Sequence, residues 1–179
     1  MNAEISRPAK WASQARGLPA VPAEALLTAL YRSHRLDLIR LAVLLVGDRE
    51  TAEDIVQDVF ARLHGRRPET LTLAYVRTCV LNGSRSVLRR RMVESRWTER
   101  GKEALDSSET DVLLGESRRE VLDALGRLPK RQREALVLRY YLDLSESETA
   151  RTMRVRASTV RSTTARALAR LHRELGGNA

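Results

Sequence analysis

Cysteine is nearly absent from this chain: Cys79 is the only one in 179 residues. A single thiol excludes an internal disulfide framework and a multi-cysteine zinc site. No run approaches the roughly 18 apolar residues of a membrane-crossing helix, so no membrane insertion is expected. The three histidines, His34, His64 and His172, are scattered, with no nucleophile motif, phosphate loop or metal-ligand spacing around them. These absences argue against an enzyme, and no cofactor or metal is expected. Sustained β-branched alternation is missing, and no Asn-Gly or Asp-Gly turn separates two strand-like runs, which leaves helix as the expected structure. The opening MNAEISRPAKWASQARG has no apolar core ahead of a cleavage-like site, so no secretory signal is expected and a cytoplasmic location is the simplest reading.

What the chain has in excess is positive charge. Lys and Arg total 32 against 23 Asp and Glu, a formal net charge of +9, while 42% hydrophobic residues suffice for ordinary cores. The charge is unevenly spread. Residues 64–102 carry ten basic and three acidic side chains, and residues 127–179 carry twelve and five. Between them, residues 103–126 carry two basic and seven acidic side chains. Basic blocks draw polyanions and release counterions from nucleic acid, although an Arg-rich solvated surface is the plainer alternative.

Three of the five prolines, Pro8, Pro19 and Pro22, fall in residues 1–22, which suggests a flexible lead-in. Helical spacing then predicts a Leu-rich helix over 23–46 stopped by Gly47, and a second reaching Leu63 with Asp48 as its N-cap. His64-Gly65 and Pro68 end the second helix, and a third is expected over 71–92. Residues 94–117 are polar, with Gly101, Gly115 and a Ser-Ser pair, and suggest a linker. Further helices are expected over 118–127, 130–142, 146–153 and 158–175. Pro129 marks a helix start, and Ser145 with Glu148 makes a capping box. The expectation is an all-α protein of two small helical domains, 23–93 and 118–179, each with its own core, joined by the linker.

Three surfaces stand out on helical wheels. In the second helix Glu50, Asp54, Gln57 and Asp58 share a face opposite Ile55, Val59 and Leu63: a docking surface for a basic partner, or simply a solvated face. In the third helix Tyr75, Thr78, Asn82, Arg85 and Arg89 oppose Leu73, Val76, Val80 and Val87. That mixture suits a nucleic-acid strand, with Arg for phosphates and Tyr for an unstacked base. Residues 143–175 give a short helix, a tight turn and a longer helix, the helix-turn-helix pattern. Ser158, Thr159, Arg161 and Ser162 open the longer helix, where they can reach base edges or phosphates, with Arg156 beside them and Arg166 one turn on.

The run GDRETAEDIVQDVFARL, followed after a linker by LPKRQREALVLRYYLDLSESETA and STVRSTTARALARL, resembles the extracytoplasmic-function (ECF) sigma factors of bacterial RNA polymerase. These are the two-region members of the sigma-70 family, and the resemblance covers about residues 23–92 and 118–175. It implies a promoter-specificity subunit that makes no covalent bond itself. Asp54, Gln57 and Asp58 would bind the clamp helices of the β′ subunit, the β subunit would be a further contact, and Asn82 would fall at the family's Asn position. The third helix, with the loop before it, would melt and read the minus-ten promoter element. The helix-turn-helix would read the minus-thirty-five element as duplex. An anti-sigma factor is the regulatory partner common in the family. Two departures appear: Tyr75 where many members place Trp nearby, and Arg154 where many have Gly in the turn. If that turn needs φ > 0, a non-Gly residue costs about 1 kcal/mol. The usual small polar cap is replaced by Arg156, leaving Ser158 as the expected cap. The competing reading, a stand-alone helix-turn-helix regulator, would need a dimer helix or effector domain that the sequence does not suggest, and leaves the region-two motif unexplained.

Overall fold

The computed structural model describes residues 22–97 and 116–176. The lead-in expected before Pro22 and most of the expected linker lie outside the described residues. Among the described residues all regular structure is helical: α1 (Ala23–Val46), α2 (Arg49–Leu63), α3 (Leu73–Trp97), α4 (Glu116–Gly126), α5 (Lys130–Leu136), α6 (Glu146–Met153) and α7 (Ala157–Gly176).

The local signals act as their chemistry dictates. Gly47 adopts φ 94° and its N–H donates to the Val43 carbonyl, closing α1. One residue on, the Asp48 carboxylate accepts the Thr51 N–H at 2.8 Å and opens α2. The chain leaves α2 through Gly65 at φ 76° and a single 3₁₀ turn, Pro68–Thr70. Thr72 Oγ1 then accepts the Tyr75 N–H at 3.2 Å as α3 begins. Helices α1, α2 and α3 enclose a core of Leu38, Leu41, Val46, Ala52, Val56, Val76 and Val80, none more than 1% exposed. Tyr31 meets Phe60 edge to face, with ring centroids 5.0 Å apart. Gly83 lies where α3 passes α2, and a β-carbon there would stand 3.0 Å from Ile55 Cγ2.

In the second half α5 follows Pro129, and α6 starts with the expected capping box: Ser145 accepts from the Glu148 N–H while the Glu148 carboxylate accepts from the Ser145 N–H. Arg154 ends α6 in the left-handed region at φ 55°, ψ 48°. Its N–H donates to the Arg151 carbonyl and the Val155 N–H donates to the Ala150 carbonyl, the paired bonds of a Schellman motif. The turn is thus built as it would be around glycine, with an arginine in it.

Two expectations need correction. The helix expected over 130–142 is interrupted, because α5 widens into a π-turn at Val137–Tyr141. The separate cores are in fact joined. Val137 and Leu138 on that turn belong to the core of α1–α3, with Leu142, Leu144 and Met153 packed against it. The smaller cluster of Leu125, Leu128, Leu136 and Ala167 shares Leu44 of α1 with the larger one. Widening the turn keeps Leu138 wholly buried, and packing of this kind outweighs the loss of ideal helix geometry. Arg133 reinforces the join. It is 8% exposed and donates to the Leu45 carbonyl at 2.7 Å and to the Gly126 carbonyl, oxygens at the C-terminal ends of α1 and α4. Burial pushes its pKa down from the ordinary guanidinium value.

Candidate protein and nucleic-acid interfaces

The acidic face is built by α2. Asp54, Gln57 and Asp58 are all exposed and line a hollow of about 420 Å³ with Thr51, Val87, Arg90 and Arg91. Asp58 pairs with Arg62 one turn on at 2.8 Å. The hollow's far wall is fixed by Arg91 of α3, which donates to Asp48 Oδ2 at 2.8 Å, Thr51 Oγ1 at 2.7 Å and the Val46 carbonyl at 3.1 Å. Burial raises the Asp48 carboxyl, but hydrogen bonds from Thr51 and Arg91 outweigh it and hold its pKa below the ordinary value. Asp48 is therefore an ionised anchor that sets α3 against α2, apart from its role as a cap.

The five residues expected to share one face of α3 are divided by the structure. Tyr75, Asn82 and Arg89 line a groove of about 350 Å³ between α2 and α3. Arg62, Arg66, Ser86 and Arg90 also line it, with Asp58 at the border it shares with the acidic face, so two helices and the turn after α2 bring arginines to the same trough. Thr78 lies on the other flank, in a hollow shared with Leu138, Leu142, Glu148 and Thr152 of the second half. Arg85 is fully engaged. Nη1 donates to Asn82 Oδ1 at 3.1 Å, Nε donates to Glu134 Oε2 at 3.2 Å, and Nη2 bonds Glu134 Oε1 and the Thr152 carbonyl. Arg62 and Arg66 escaped sequence reasoning because a wheel drawn for α3 cannot show what α2 places beside it.

The third surface is the opening of α7, where Arg156, Ser158, Thr159, Arg161, Ser162 and Arg166 are all exposed. Ser158 does not cap the helix. It lies within α7, and the carbonyl of Arg156 accepts the first N–H groups, those of Thr159 at 3.0 Å and Val160 at 3.1 Å. Arg161 reaches back to Glu146 at the start of α6, Nη2 to Oε2 at 3.0 Å. The pairing raises the Arg161 pKa and lowers that of Glu146. Ser162 Oγ donates to the Thr159 carbonyl, and Arg166 Nε donates to the Ser162 carbonyl, both at 3.1 Å. Val160, Thr163, Thr164 and Ala167 face inward, so one side of α7 is locked and the other is open to a groove-sized ligand.

Comparison with known proteins assigns both halves. Residues 30–93 match the sigma-70 region 2 family and residues 118–171 match sigma-70 region 4. The RNA polymerase sigma-E factor of Streptomyces coelicolor is 35% identical over 148 residues, covering 80% of this chain and 82% of that protein. The ECF RNA polymerase sigma factor SigL of Mycobacterium tuberculosis is 30% identical over 159 residues, covering 83% and 88%. The fold is shared with a sigma factor of Bartonella quintana, RpoE, solved with the anti-sigma factor NepR. The TM-score is 0.62 at 22% identity, covering 83% of this chain and 98% of that one. An acidic helix face and two arginine-lined surfaces thus fall within two matched regions in family order, and the chain belongs to the extracytoplasmic-function group of sigma-70 RNA polymerase sigma factors.

Proposed function

We propose that this sigma factor docks on core RNA polymerase through the α2 face carrying Asp54, Gln57 and Asp58, which meets the β′ clamp helices. The carrying observation is that this acidic face stands exposed on a chain of net charge +9, where a nucleic-acid ligand would be repelled and a basic protein surface attracted. The β subunit takes a further contact. The trough between α2 and α3 receives the minus-ten element. Tyr75 stacks on an unpaired base, Asn82 reads a base edge, and Arg89 meets phosphate. Thr78 and Arg85 flank it. The open side of α7 enters the major groove of the minus-thirty-five duplex, with Ser158, Thr159, Arg161 and Ser162 toward base edges and Arg156 and Arg166 toward the backbone. The protein adds no covalent step of its own and works where the polymerase works, in the cytoplasm. An anti-sigma factor is the matching regulatory partner.

Co-elution with sigma-free core polymerase on a sizing column tests the docking face. The wild-type chain is expected to form a stable complex. Asp54→Ala with Asp58→Ala is expected to weaken it while leaving the helical circular dichroism unchanged. Normal co-elution of the double variant would reject this face.

A further inference from the structure

The arginines at the open side of α7 are not held alike. Arg166 bonds within its own helix, to the Ser162 carbonyl at 3.1 Å. Arg161 is held from another helix. Its Nε donates to Glu146 Oε1 at 3.3 Å and its Nη2 to Glu146 Oε2 at 3.0 Å, so the carboxylate takes the side edge of the guanidinium. Glu146 is the first residue of α6, fixed there by the capping box that engages Ser145 and Glu148. That helix packs on α7, with Thr149 and Val160 wholly buried. Arg139 sets a second positive charge near the Glu146 carboxylate. An exposed ion pair usually contributes little stability, but a two-bond arginine–carboxylate pair on rigid elements fixes direction. The Arg161 side chain stays 77% exposed while that of Glu146 is 35% exposed, so the held guanidinium still faces outward.

A guanidinium carries its N–H groups in a rigid planar fork. Glu146 takes the Nε–H and one Nη2–H. Both Nη1–H groups and the second Nη2–H are left. One hydrogen from each of those two nitrogens points the same way, off the end of the fork. That end edge can donate twice to a guanine in the major groove, to O6 and N7. A carboxylate beside it works against attraction to phosphate, so it serves direction rather than general affinity.

We infer that Glu146 is a positioning residue for reading duplex DNA: it aims the end edge of Arg161 at a guanine, and so sets base preference at one position without touching DNA itself. This rests on the assignment of α7 to the minus-thirty-five duplex. Held in advance, the arginine loses little side-chain freedom on binding. A base pair that offers no matching acceptors leaves the fork unpaired, and the Glu146 carboxylate keeps it from turning to a phosphate instead.

Selection from a fully randomised duplex library, by the full chain assembled on core polymerase, tests this. The wild type is expected to enrich a guanine that Arg161→Ala no longer selects. Glu146→Ala is expected to lower the preference for that guanine by about tenfold, within the range for one bidentate base contact, and to leave the other selected positions unchanged. Glu146→Gln, of the same size but with a single acceptor, is expected to relax it in the same direction by less. In the Arg161→Ala background, Glu146→Ala is expected to change no base preference, because Glu146 acts only through Arg161. Replacing the selected guanine by 7-deazaguanine, which lacks the N7 acceptor, is expected to weaken wild-type binding and to matter less to Glu146→Ala. Helical circular dichroism and an unchanged minus-ten selection show that the variants stay folded. Guanine preference kept in both Glu146 variants, with tighter binding to every duplex, would make Glu146 only a counter-charge and overturn the inference. A base preference that shifts on Glu146→Ala in the Arg161→Ala background would overturn it too, since Glu146 would then read DNA itself. A wild type that selects a minus-ten element and nothing upstream of it would reject the assignment of α7 to duplex DNA, a separate failure.

Discussion

Arg154 holds a conformation that most L-residues avoid. Its φ of 55° is imposed by the two Schellman bonds that end α6, and a left-handed non-glycine residue carries about 1–2 kcal/mol of strain. Glycine relieves the strain but adds freedom to the unfolded chain. Arg154→Gly is therefore expected to stabilise the protein by up to about 1 kcal/mol, read as a higher denaturant midpoint at unchanged slope. A lower midpoint would mean that the Arg154 side chain supports the turn. Single residues were well signposted at this scale. Asp48, Gly47, Ser145 and Glu148 announce their caps because capping is decided within three or four residues. Arg156 was the exception: Ser158 resembled a cap by type, but the helix begins one residue before it.

Elements meet according to what their faces permit, and α3 shows how far a wheel can be trusted. Its apolar stripe was legible, since Val76 and Val80 are wholly buried as spaced. Its polar face was legible as one surface and folds into two flanks, Tyr75, Asn82 and Arg89 toward α2 and Thr78 toward α6. The neighbours of a face are set by tertiary packing, which periodicity does not encode. Gly83 carries the close approach to α2. Within a helix it costs about 1 kcal/mol relative to alanine, and it leaves room for Ile55. Gly83→Val is expected to push α2 and α3 apart and to destabilise by about 1–3 kcal/mol, measured by thermal unfolding. The same change is expected to disturb the trough and weaken minus-ten binding in the assembled polymerase. A variant as stable as wild type would show that Ile55 turns aside freely.

On the scale of the whole molecule, the two sigma-70 regions were legible in their two motifs, whereas the core that the helices of both share was not. Nothing in the sequence around Leu138 distinguishes a leucine buried in its own half from one buried in the other. Leu138→Ala is expected to cost about 2–5 kcal/mol and to quicken amide exchange in α1 as well as in α7. Faster exchange confined to α5–α7 would mean that the two halves unfold independently. The side chain of Leu44, in α1, contributes to both apolar clusters. Such a residue limits how freely the halves can be traded between relatives. A chimaera that joins these α1–α3 helices to another sigma factor's C-terminal helices would set Leu44 and the seat of Leu138 against side chains shaped for a different neighbour. Transplants that carry α1 and α5 as a matched pair avoid that mismatch, and drift at Leu44 is constrained by two sets of contacts at once.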